Sequence, residues 1–405
     1  MSAAKNEVPN KRFTIGIIIS AAFVIMGIAC WVAQLTQGLH LTNLDNNNTW
    51  GLYIVGFVLF TGVAAGSLLF ASSAWLFNGL AQFRPYTRIA SFVGVIGSVI
   101  AAGLFIIVDI GNPSRIWYMI TRFNFTSPII WDTVILGSYV IIGIIFTRRL
   151  IQVSKGVTEE KSVKGIAIVA FIAGLLVTVT SFIFCIQVAR PFWNNPVQPL
   201  SFLFAAVVVA LALLLLVFAI LRTKKYIAMS DELLNKMARV IAIFLAAELL
   251  VVLSEVALGL YAQSGEDVQL IHWLISGDGA VYFWVEIAAF ALGMVLLLNR
   301  RTAFCMAGAG ASFFAVLMVK YNLLQTQLLN PSISYPGLNG RSTYAGTAGN
   351  IAAGAYLPSW IEVSLSIGIV SLGVLLVLLG LKQLRLGDTV QQSPPQVDVQ
   401  IQAKV

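Results

Sequence analysis

The sequence predicts an all-α polytopic membrane protein with about ten transmembrane helices. Hydrophobic residues make up 59% of its 405 positions and charged residues only 10%, which lies outside the range of soluble globular domains. The mean hydropathy is +0.89. Several apolar stretches approach the roughly 20 residues that a helix needs to cross a bilayer. In order, these stretches are 13–33, 51–78, 86–108, 130–147, 164–188, 199–221, 238–262, 279–299, 303–320 and 359–381.

The basic residues predict how these helices are oriented. A net charge of +8 is compatible with a nucleic-acid partner, but the 25 Lys and Arg residues are distributed by membrane side instead. Most of them lie on the side that holds both termini, which we therefore place in the cytoplasm. We expect the lipid bilayer, and no nucleic acid, to be the partner of these charges. The exceptions, on the outer side, are Arg115, Arg122, Arg190, Lys320 and Arg341.

The chain divides into a cytoplasmic N-terminus at 1–12, an integral membrane domain at 13–385 and a disordered cytoplasmic tail at 386–405. The first apolar stretch follows basic residues, as a signal peptide does. It has no convincing small-residue cleavage site and is long enough to span, so we interpret it as a helix. The outer segment 321–358 is turn-rich and longer than usual, which predicts a docking surface or lid.

A polar hinge joins the third and fourth stretches at the outer side. Asp109 ends one stretch and Asp132 begins the next, so two carboxylates lie where hydrocarbon meets water. Such positions are energetically costly and typical of proton, ion or substrate sites. Arg115 follows Asp109 across a short turn and is a candidate to pair with it. The hinge is therefore the predicted reactive part of the chain.

Three glutamates inside the later stretches predict a polar track. Glu248 and Glu255 are two helical turns apart, so they share one face of the seventh helix. Glu286 lies inside the eighth helix. Buried carboxylates tend to stay protonated or to find a partner, which suits a proton path. The alternative is that each one caps a helix or bonds a neighbouring helix, and the same alternative applies to Glu362 at the start of the last stretch.

Gly62 and Gly66 form a small-xxx-small face on the second helix. This pattern predicts close contact with another helix. The close contact could also shape a cleft for a flat ring.

The rare residue types restrict the chemistry further. The two histidines, His40 and His272, fall in predicted outer loops, so no helix-borne pair can ligate haem. The three cysteines have no paired spacing, which excludes a CxxC metal or cluster motif. We expect no haem, no iron–sulfur cluster and no metal site in this chain. Any redox role then requires a diffusible organic carrier and a cofactor on another subunit.

Spaced outer-edge motifs resemble the NrfD/PsrC-like family, the integral membrane subunits of polysulfide-reductase-type respiratory complexes. The resemblance runs from about residue 50 to 380 and belongs to the ten-helix branch of the family. The most specific part is the stretch from Asp109 to Trp131. The landmarks are Trp50-Gly51-Leu52-Tyr53, Gly62, Ala65-Gly66, Asp109-Ile110-Gly111, Pro113, Arg115, Trp117, Asn124, Ser127-Pro128, Trp131, Arg190-Pro191-Phe192-Trp193, Pro199, Phe202, Phe283-Trp284, Gly293, Pro358 and Glu362.

The resemblance implies two side-by-side four-helix bundles, at about 51–188 and 199–320, with extra helices at 13–33 and 359–381. It also implies a non-covalent quinone, typically menaquinone, near the outer end of the first bundle. Electrons are then exchanged with a ferredoxin-like subunit holding four iron–sulfur clusters on the outer, periplasmic face of a bacterial cytoplasmic membrane. That subunit often serves a molybdopterin catalytic subunit.

The resemblance and the hinge together predict a quinone-reactive membrane subunit of a respiratory oxidoreductase. Asp109 is the expected proton acceptor or relay, with Arg115 orienting it and Asp132 continuing the proton path. Glu248, Glu255 and Glu286 form the second-bundle path. The aromatic candidates for packing on the quinone ring are Trp50, Tyr53 and Trp117.

The chain departs from the family at the entrance of the first-bundle helix. Family members often carry a histidine there, whereas Thr49 precedes Trp50 here and the nearest histidine, His40, is the candidate quinone ligand. Two alternatives from other classes are a proton- or ion-coupled secondary transporter and a structural anchor without a quinone site. The direction of electron flow, the terminal substrate and the electrogenicity of turnover stay open at this point.

Overall fold

The computed structural model describes residues 10–44, 48–179, 181–262, 265–329, 356–384 and 386–387. Within these ranges every regular element is helical, and ten helices are long and apolar enough to cross a membrane. The prediction of an all-α polytopic membrane protein is confirmed. Helices suit this setting because each one satisfies its backbone hydrogen bonds internally, where lipid cannot. Residues 330–355 of the predicted lid and 388–405 of the predicted tail lie outside the described residues.

The helices start and end close to the predicted boundaries. Proline occupies the first turn of two of them, at Pro128 and Pro199. Proline is tolerated there because the N–H groups of the first turn have no acceptor within the helix. The helices are α1 Asn10–Gln37, α2 Leu52–Leu76, α3 Thr87–Phe92, α4 Val99–Asp109, α5 Tyr118–Thr121, α6 Pro128–Ser154, α7 Val163–Val179, α8 Phe182–Cys185, α9 Gln198–Thr223, α10 Asp231–Ala262, α11 Gly265–Ile275, α12 Ala280–Leu297, α13 Thr302–Leu328 and α14 Trp360–Leu384.

The third membrane span changes its helix type along its length. A 3-10 segment at Asn78–Tyr86 leads into α3, a π-helical turn follows at Val93–Ser98, and α4 completes the span. Glycine allows this turn to lie against its neighbours: a Cβ on Gly94 would be 2.6 Å from the Ser67 Cβ, and one on Gly97 would be 2.8 Å from Val377. The π turn is therefore held by close packing against α2 and α14.

The spans pack as two groups and a pair. The third span, α2, α6 and α7 pack together, and so do α9, α10, α12 and α13. The helices α1 and α14 run antiparallel to each other, and α14 lies against the third span. A Cβ on Gly27 would lie 2.7 Å from the Gly368 Cα, and one on Gly16 would lie 3.3 Å from Leu378. Small residues thus allow close contact between helix backbones. Such packing matters in a bilayer, because lipid is as apolar as the side chains and the hydrophobic effect does not drive helices together there.

The two groups are joined by α2 and α9, at the small-residue face that the sequence indicates. A Cβ on Gly66 would be 2.2 Å from the Ala206 carbonyl oxygen, and one on Gly62 would be 3.5 Å from the Ala206 Cα. Gly66 is buried in this contact. The predicted role of the two glycines in close helix packing is confirmed.

Replacing Gly66 with alanine should therefore destabilise the protein. The added methyl overlaps backbone that cannot move without separating α2 from α9, and we expect a loss of about 1–3 kcal/mol. The measurement is the apparent melting temperature in detergent. Gly103→Ala is the matched control, because a Cβ there meets nothing within 4 Å. An equal melting temperature for both variants would contradict the packing described here.

Five predicted boundaries require correction. Two helices are longer than predicted, because polar residues at their ends lower the hydropathy without breaking the helix: α6 continues past residue 147 to Ser154, and α10 begins at Asp231 and not at 238. The ninth span does not end at residue 320, because α13 continues to Leu328 through buried polar residues that lower the local hydropathy without breaking the helix. The outer loop 263–278 contains the 11-residue helix α11. The fifth span does not continue as one helix to 188, because α7 ends at Val179 and only the short α8 follows it.

Candidate functional site

Asp109 is the last residue of α4, at the predicted outer end. Its Oδ1 is buried and has no hydrogen-bond partner among the described residues. Beside it, the hydroxyl of fully buried Tyr53 donates to Gln34 Oε1 at 2.8 Å, and Gln34 Nε2 donates to the Val108 carbonyl at 2.8 Å. These bonds fix α1, α2 and α4 around a carboxylate that still has a free acceptor.

The expected ion pair between Asp109 and Arg115 is wrong. Gly111, with φ +70°, turns the chain away from α4, and Pro113–Trp117 forms a 3-10 turn on which Arg115 is exposed. In the described parts of the chain the ion pairs are Arg84 with Glu160 and Arg222 with Asp231. Arg115 therefore does not hold Asp109 in place through direct contact.

The four quinone-binding candidates lie in different surroundings. Tyr53 packs in the cluster with Phe105, on the side of α1 and α4. Trp50 precedes α2 and stacks on Trp193 at 5.5 Å. Trp117 is 65% exposed, and His40 is exposed in the turn after α1.

Trp50 belongs to the contact between the two helix groups. Its carbonyl accepts a hydrogen bond from Gln325 Nε2 at 2.9 Å, and its stacking partner Trp193 donates from Nε1 to the Leu323 carbonyl at 2.7 Å. Arg190 lies over Trp193, 4.8 Å from the ring centroid. These contacts fix the start of α2 to the end of α13.

Glu362, in the first turn of α14, is fully buried and fully bonded. Its Oε2 accepts the backbone N–H groups of Asn43 at 3.0 Å and Ser359 at 2.8 Å, and its Oε1 accepts the Tyr356 hydroxyl. The same hydroxyl accepts the Leu52 N–H at 3.0 Å. Burial and the Glu362 charge raise the pKa of Tyr356 above its ordinary value, so the phenol stays protonated. Glu362 is thus a structural tie between distant segments.

Asp132 lines a cavity between the two helix groups, which we call the inter-bundle cavity. Its volume is about 50 Å³, and it is lined by residues of α2, α6, α7, α8, α9 and α13 that include Thr61, Asp132, Phe184, Phe202 and Lys320. Asp109 and the four quinone-binding candidates are not among its lining residues. The structure therefore separates Asp132 from Asp109 and places it with Lys320.

Lys320 lies in a different environment from the one that the sequence predicts. The charge pattern counts it among outer-side residues, but it lies inside α13 and is only 3% exposed. Its Nζ is 3.9 Å from the centroid of the Phe202 ring and 3.5 Å from Ser201 Oγ. In the sequence, Lys320 is followed by polar residues that a helix can accommodate. The predicted span ended at residue 320, where the hydropathy falls, and so left these residues outside the helix.

The three predicted proton-path glutamates lie close to one another around Lys320. Glu248 is fully buried; its Oε1 accepts the Ser201 hydroxyl at 2.7 Å, and its Oε2 has no partner among the described residues. Glu255 accepts Gln198 Nε2 at 2.8 Å and Asn195 Nδ2 at 3.2 Å.

Glu286, on α12, is the third of these glutamates. It is 2% exposed and accepts Asn322 Nδ2 at 2.6 Å. A second cavity of about 30 Å³, which we call the glutamate cavity, is lined by Ser201, Glu255, Glu286 and Asn322 among others. In the described residues no group of three His, Cys, Asp or Glu side chains is placed to hold a metal ion. The arrangement suits the transfer of protons between acids.

Comparison with known proteins assigns the chain to a family. The model of the NrfD family, described as polysulphide reductase, matches residues 40–330. The chain belongs to the NrfD family. This confirms the resemblance seen in the sequence.

Relatives of this NrfD-family chain are similar over nearly their full length. The chain is 31% identical to a putative dimethyl sulfoxide reductase membrane subunit of Halobacterium salinarum, over 91% of this chain and 90% of the relative. It is 25% identical to a selenate reductase subunit of Mesobacillus selenatarsenatis, over 87% and 89% respectively. It is 27% identical to the Hdr-like menaquinol oxidoreductase integral membrane subunit of Archaeoglobus fulgidus, over 90% and 91%. The chain is therefore an NrfD-type membrane subunit of a redox complex.

Proposed function

We propose that this NrfD-family subunit exchanges electrons between menaquinol or menaquinone and an iron–sulfur partner subunit. One relative is named as a menaquinol oxidoreductase subunit, which supports a quinone as the carrier. The observation that carries the proposal for this chain is Asp109, whose buried Oδ1 has no hydrogen-bond partner among the described residues. The next residue, Ile110, is 37% exposed, so apolar surface that an apolar carrier could contact lies next to Asp109 in the chain.

The residues around Asp109 fit a quinol hydroxyl. A quinol requires a hydrogen-bond acceptor at its hydroxyl and a route for the released proton. Asp109 Oδ1 supplies an acceptor that no side chain of the described protein uses, and the Tyr53–Gln34 bonds keep the surrounding helices in place. A bound quinol would supply two electrons and two protons. Asp109 would accept one of these protons at Oδ1, the second would pass to water at the outer face, and the partner would accept both electrons.

The remaining candidates take supporting roles in this proposal. Arg115 and Trp117 lie on the exposed turn after Asp109, where they border the approach of the quinone or the partner. Asp132 and the three glutamates form the path of protons through the membrane. His40, exposed near the same end, is the remaining candidate ligand. The structural-anchor and transporter alternatives gain no specific observation from the described residues.

The partners and location follow from the same proposal. We propose a ferredoxin-like subunit with four iron–sulfur clusters on the outer face and a molybdopterin catalytic subunit attached to it. The chain would then lie in a bacterial cytoplasmic membrane with both termini inside. The assignment of Lys320 to a helix interior leaves fewer basic residues in the predicted outer loops, which supports this orientation.

Purification of the complex through a tag on this chain tests the proposal. We expect an iron–sulfur subunit and menaquinone to co-purify, and added menaquinol to reduce the iron–sulfur clusters, as followed by absorbance or paramagnetic resonance. Clusters that co-purify but are not reduced by menaquinol would leave only the anchor role. Absence of both would favour transport.

A further inference from the structure

The buried Lys320 lies between the inter-bundle cavity and the three glutamates, Glu248, Glu255 and Glu286. Lys320 lines the cavity, and its Nζ donates to Ser201 Oγ at 3.5 Å. The Ser201 hydroxyl in turn donates to Glu248 Oε1 at 2.7 Å. The first of these bonds is long, as bonds between proton-transfer groups often are in structures without substrate. Within the described residues, Lys320 forms no direct ion pair with a carboxylate.

The cavity has the properties of a site for water. Two of its lining residues, Thr61 and Asp132, carry buried oxygens without a hydrogen-bond partner in the described protein. Buried water typically satisfies such groups, and each molecule requires roughly 10–15 Å³ of space. A volume of about 50 Å³ therefore has room for about three water molecules. Such a chain of waters can join Asp132 to the Lys320 amine.

We infer that Lys320 and Ser201 form a proton relay that connects Asp132, through the inter-bundle cavity, with Glu248 in the second helix group. This inference rests on the proposed function, because quinone turnover supplies the protons. It adds two residues and a route to that function. The glutamates alone do not reach Asp132, which lies on the other side of the cavity.

The relay step balances without a co-reactant. The Lys320 ammonium gives a proton to the Ser201 oxygen, while the Ser201 hydroxyl gives its own proton to the Glu248 carboxylate. One N–H bond breaks, one O–H bond forms on Glu248, and serine ends as a hydroxyl. Lys320 is left as a neutral amine. The carboxylic acid form of Asp132 then restores the ammonium through water and becomes a carboxylate, and no electrons move.

The buried surroundings of Lys320 favour this role over a static one. A static ion pair in the interior would be expected to bring the amine against a carboxylate, since that contact offsets desolvation. Here the Ser201 hydroxyl, which can both accept and donate, lies between the Lys320 amine and Glu248. The amine lies over the Phe202 ring, which stabilises the cation but cannot take its proton. Glu248 Oε2 remains free to pass a proton onward.

Infrared difference spectra of the reconstituted complex, between its menaquinone-oxidised and menaquinol-reduced forms, test the relay. We expect a carboxylic C=O band that is lost in Glu248→Gln. When the spectra are followed over time after menaquinol is added, this band should develop roughly 100-fold more slowly or slower still in Ser201→Ala and Lys320→Met, because each substitution removes a proton-transfer group. Ser201→Thr keeps the hydroxyl and should restore the rate. Lys236→Met is the matched control, because Lys236 bonds the Gly79 carbonyl at the opposite end of the protein.

The outcomes are distinguishable. A band that develops at the wild-type rate in either Ser201→Ala or Lys320→Met, or a band insensitive to Glu248→Gln, overturns the relay while menaquinol still reduces the clusters. If Lys320→Met does not assemble, Ser201→Ala compared with Ser201→Thr decides. A wild-type complex that menaquinol does not reduce overturns the proposed function and the relay together.

Discussion

Replacing Asp109 with asparagine should reduce menaquinol-dependent reduction of the iron–sulfur partner by about 100-fold or more. Asparagine has the shape of aspartate and can still accept a hydrogen bond, but it cannot take a proton. The loss of a general base at a reacting hydroxyl typically lowers rates by roughly 10²–10⁴-fold. The measurement is the initial rate of cluster reduction by menaquinol in the purified complex.

Assembly is the control for Asp109→Asn. The Tyr53–Gln34–Val108 bonds that position the helices do not involve the Asp109 carboxylate, so the variant should retain its subunits. Asp278→Asn is the matched substitution, because Asp278 is an exposed acid near the same predicted end of the protein. Normal turnover in Asp109→Asn would remove Asp109 from the reaction and leave Asp132 as the carboxylate to test.

Replacing Glu362 with alanine should have the largest effect on stability. The substitution leaves the N–H groups of Asn43 and Ser359 and the hydroxyl of Tyr356 without their acceptor. Hydrogen bonds to a charged group contribute about 1.5–3 kcal/mol each, so we expect a loss of about 3 kcal/mol or more. The measurement is the apparent melting temperature in detergent.

Two further variants separate structure from chemistry at Glu362. Glu362→Gln retains acceptor oxygen and should recover part of the stability. Glu160→Ala removes an exposed partner of Arg84, 3.8 Å away, and should change the melting temperature little. If Glu362→Ala instead lowered menaquinol turnover at unchanged melting temperature, Glu362 would belong to the reaction and not to the tie described here.

The sequence was sufficient to predict the ten spans and the family, because hydropathy and spaced motifs are properties of the chain itself. It also placed Glu248 and Glu255 on one face of the seventh helix, since helical periodicity fixes which side chains share a face. Glu286, on the next helix, was assigned to the same path as a further carboxylate inside the membrane. These three residues do lie near one another around Lys320.

The errors come from features that local sequence does not determine. Lys320 was placed at the outer end of the ninth stretch because the polar residues after it lower the hydropathy, whereas tertiary contacts bury Asn322 and Gln325 and allow α13 to continue. Trp50 and Tyr53 are three residues apart, yet Trp50 precedes the helix, so helical spacing does not place it beside Tyr53. Their separation into different clusters depends on partners far along the chain.

The pairing of α1 with α14 has a consequence for biogenesis. Synthesis reaches α14 long after α1, so α1 meets its principal neighbour only after the helices between them have been made, because Gly27 and Gly368 pack against each other. Until then, the bonds of Gln34 to Tyr53 and to the Val108 carbonyl can retain α1 beside α2 and α4 in the bilayer. Membrane integration therefore includes a late step, in which α14 covers α1 and Glu362 secures it.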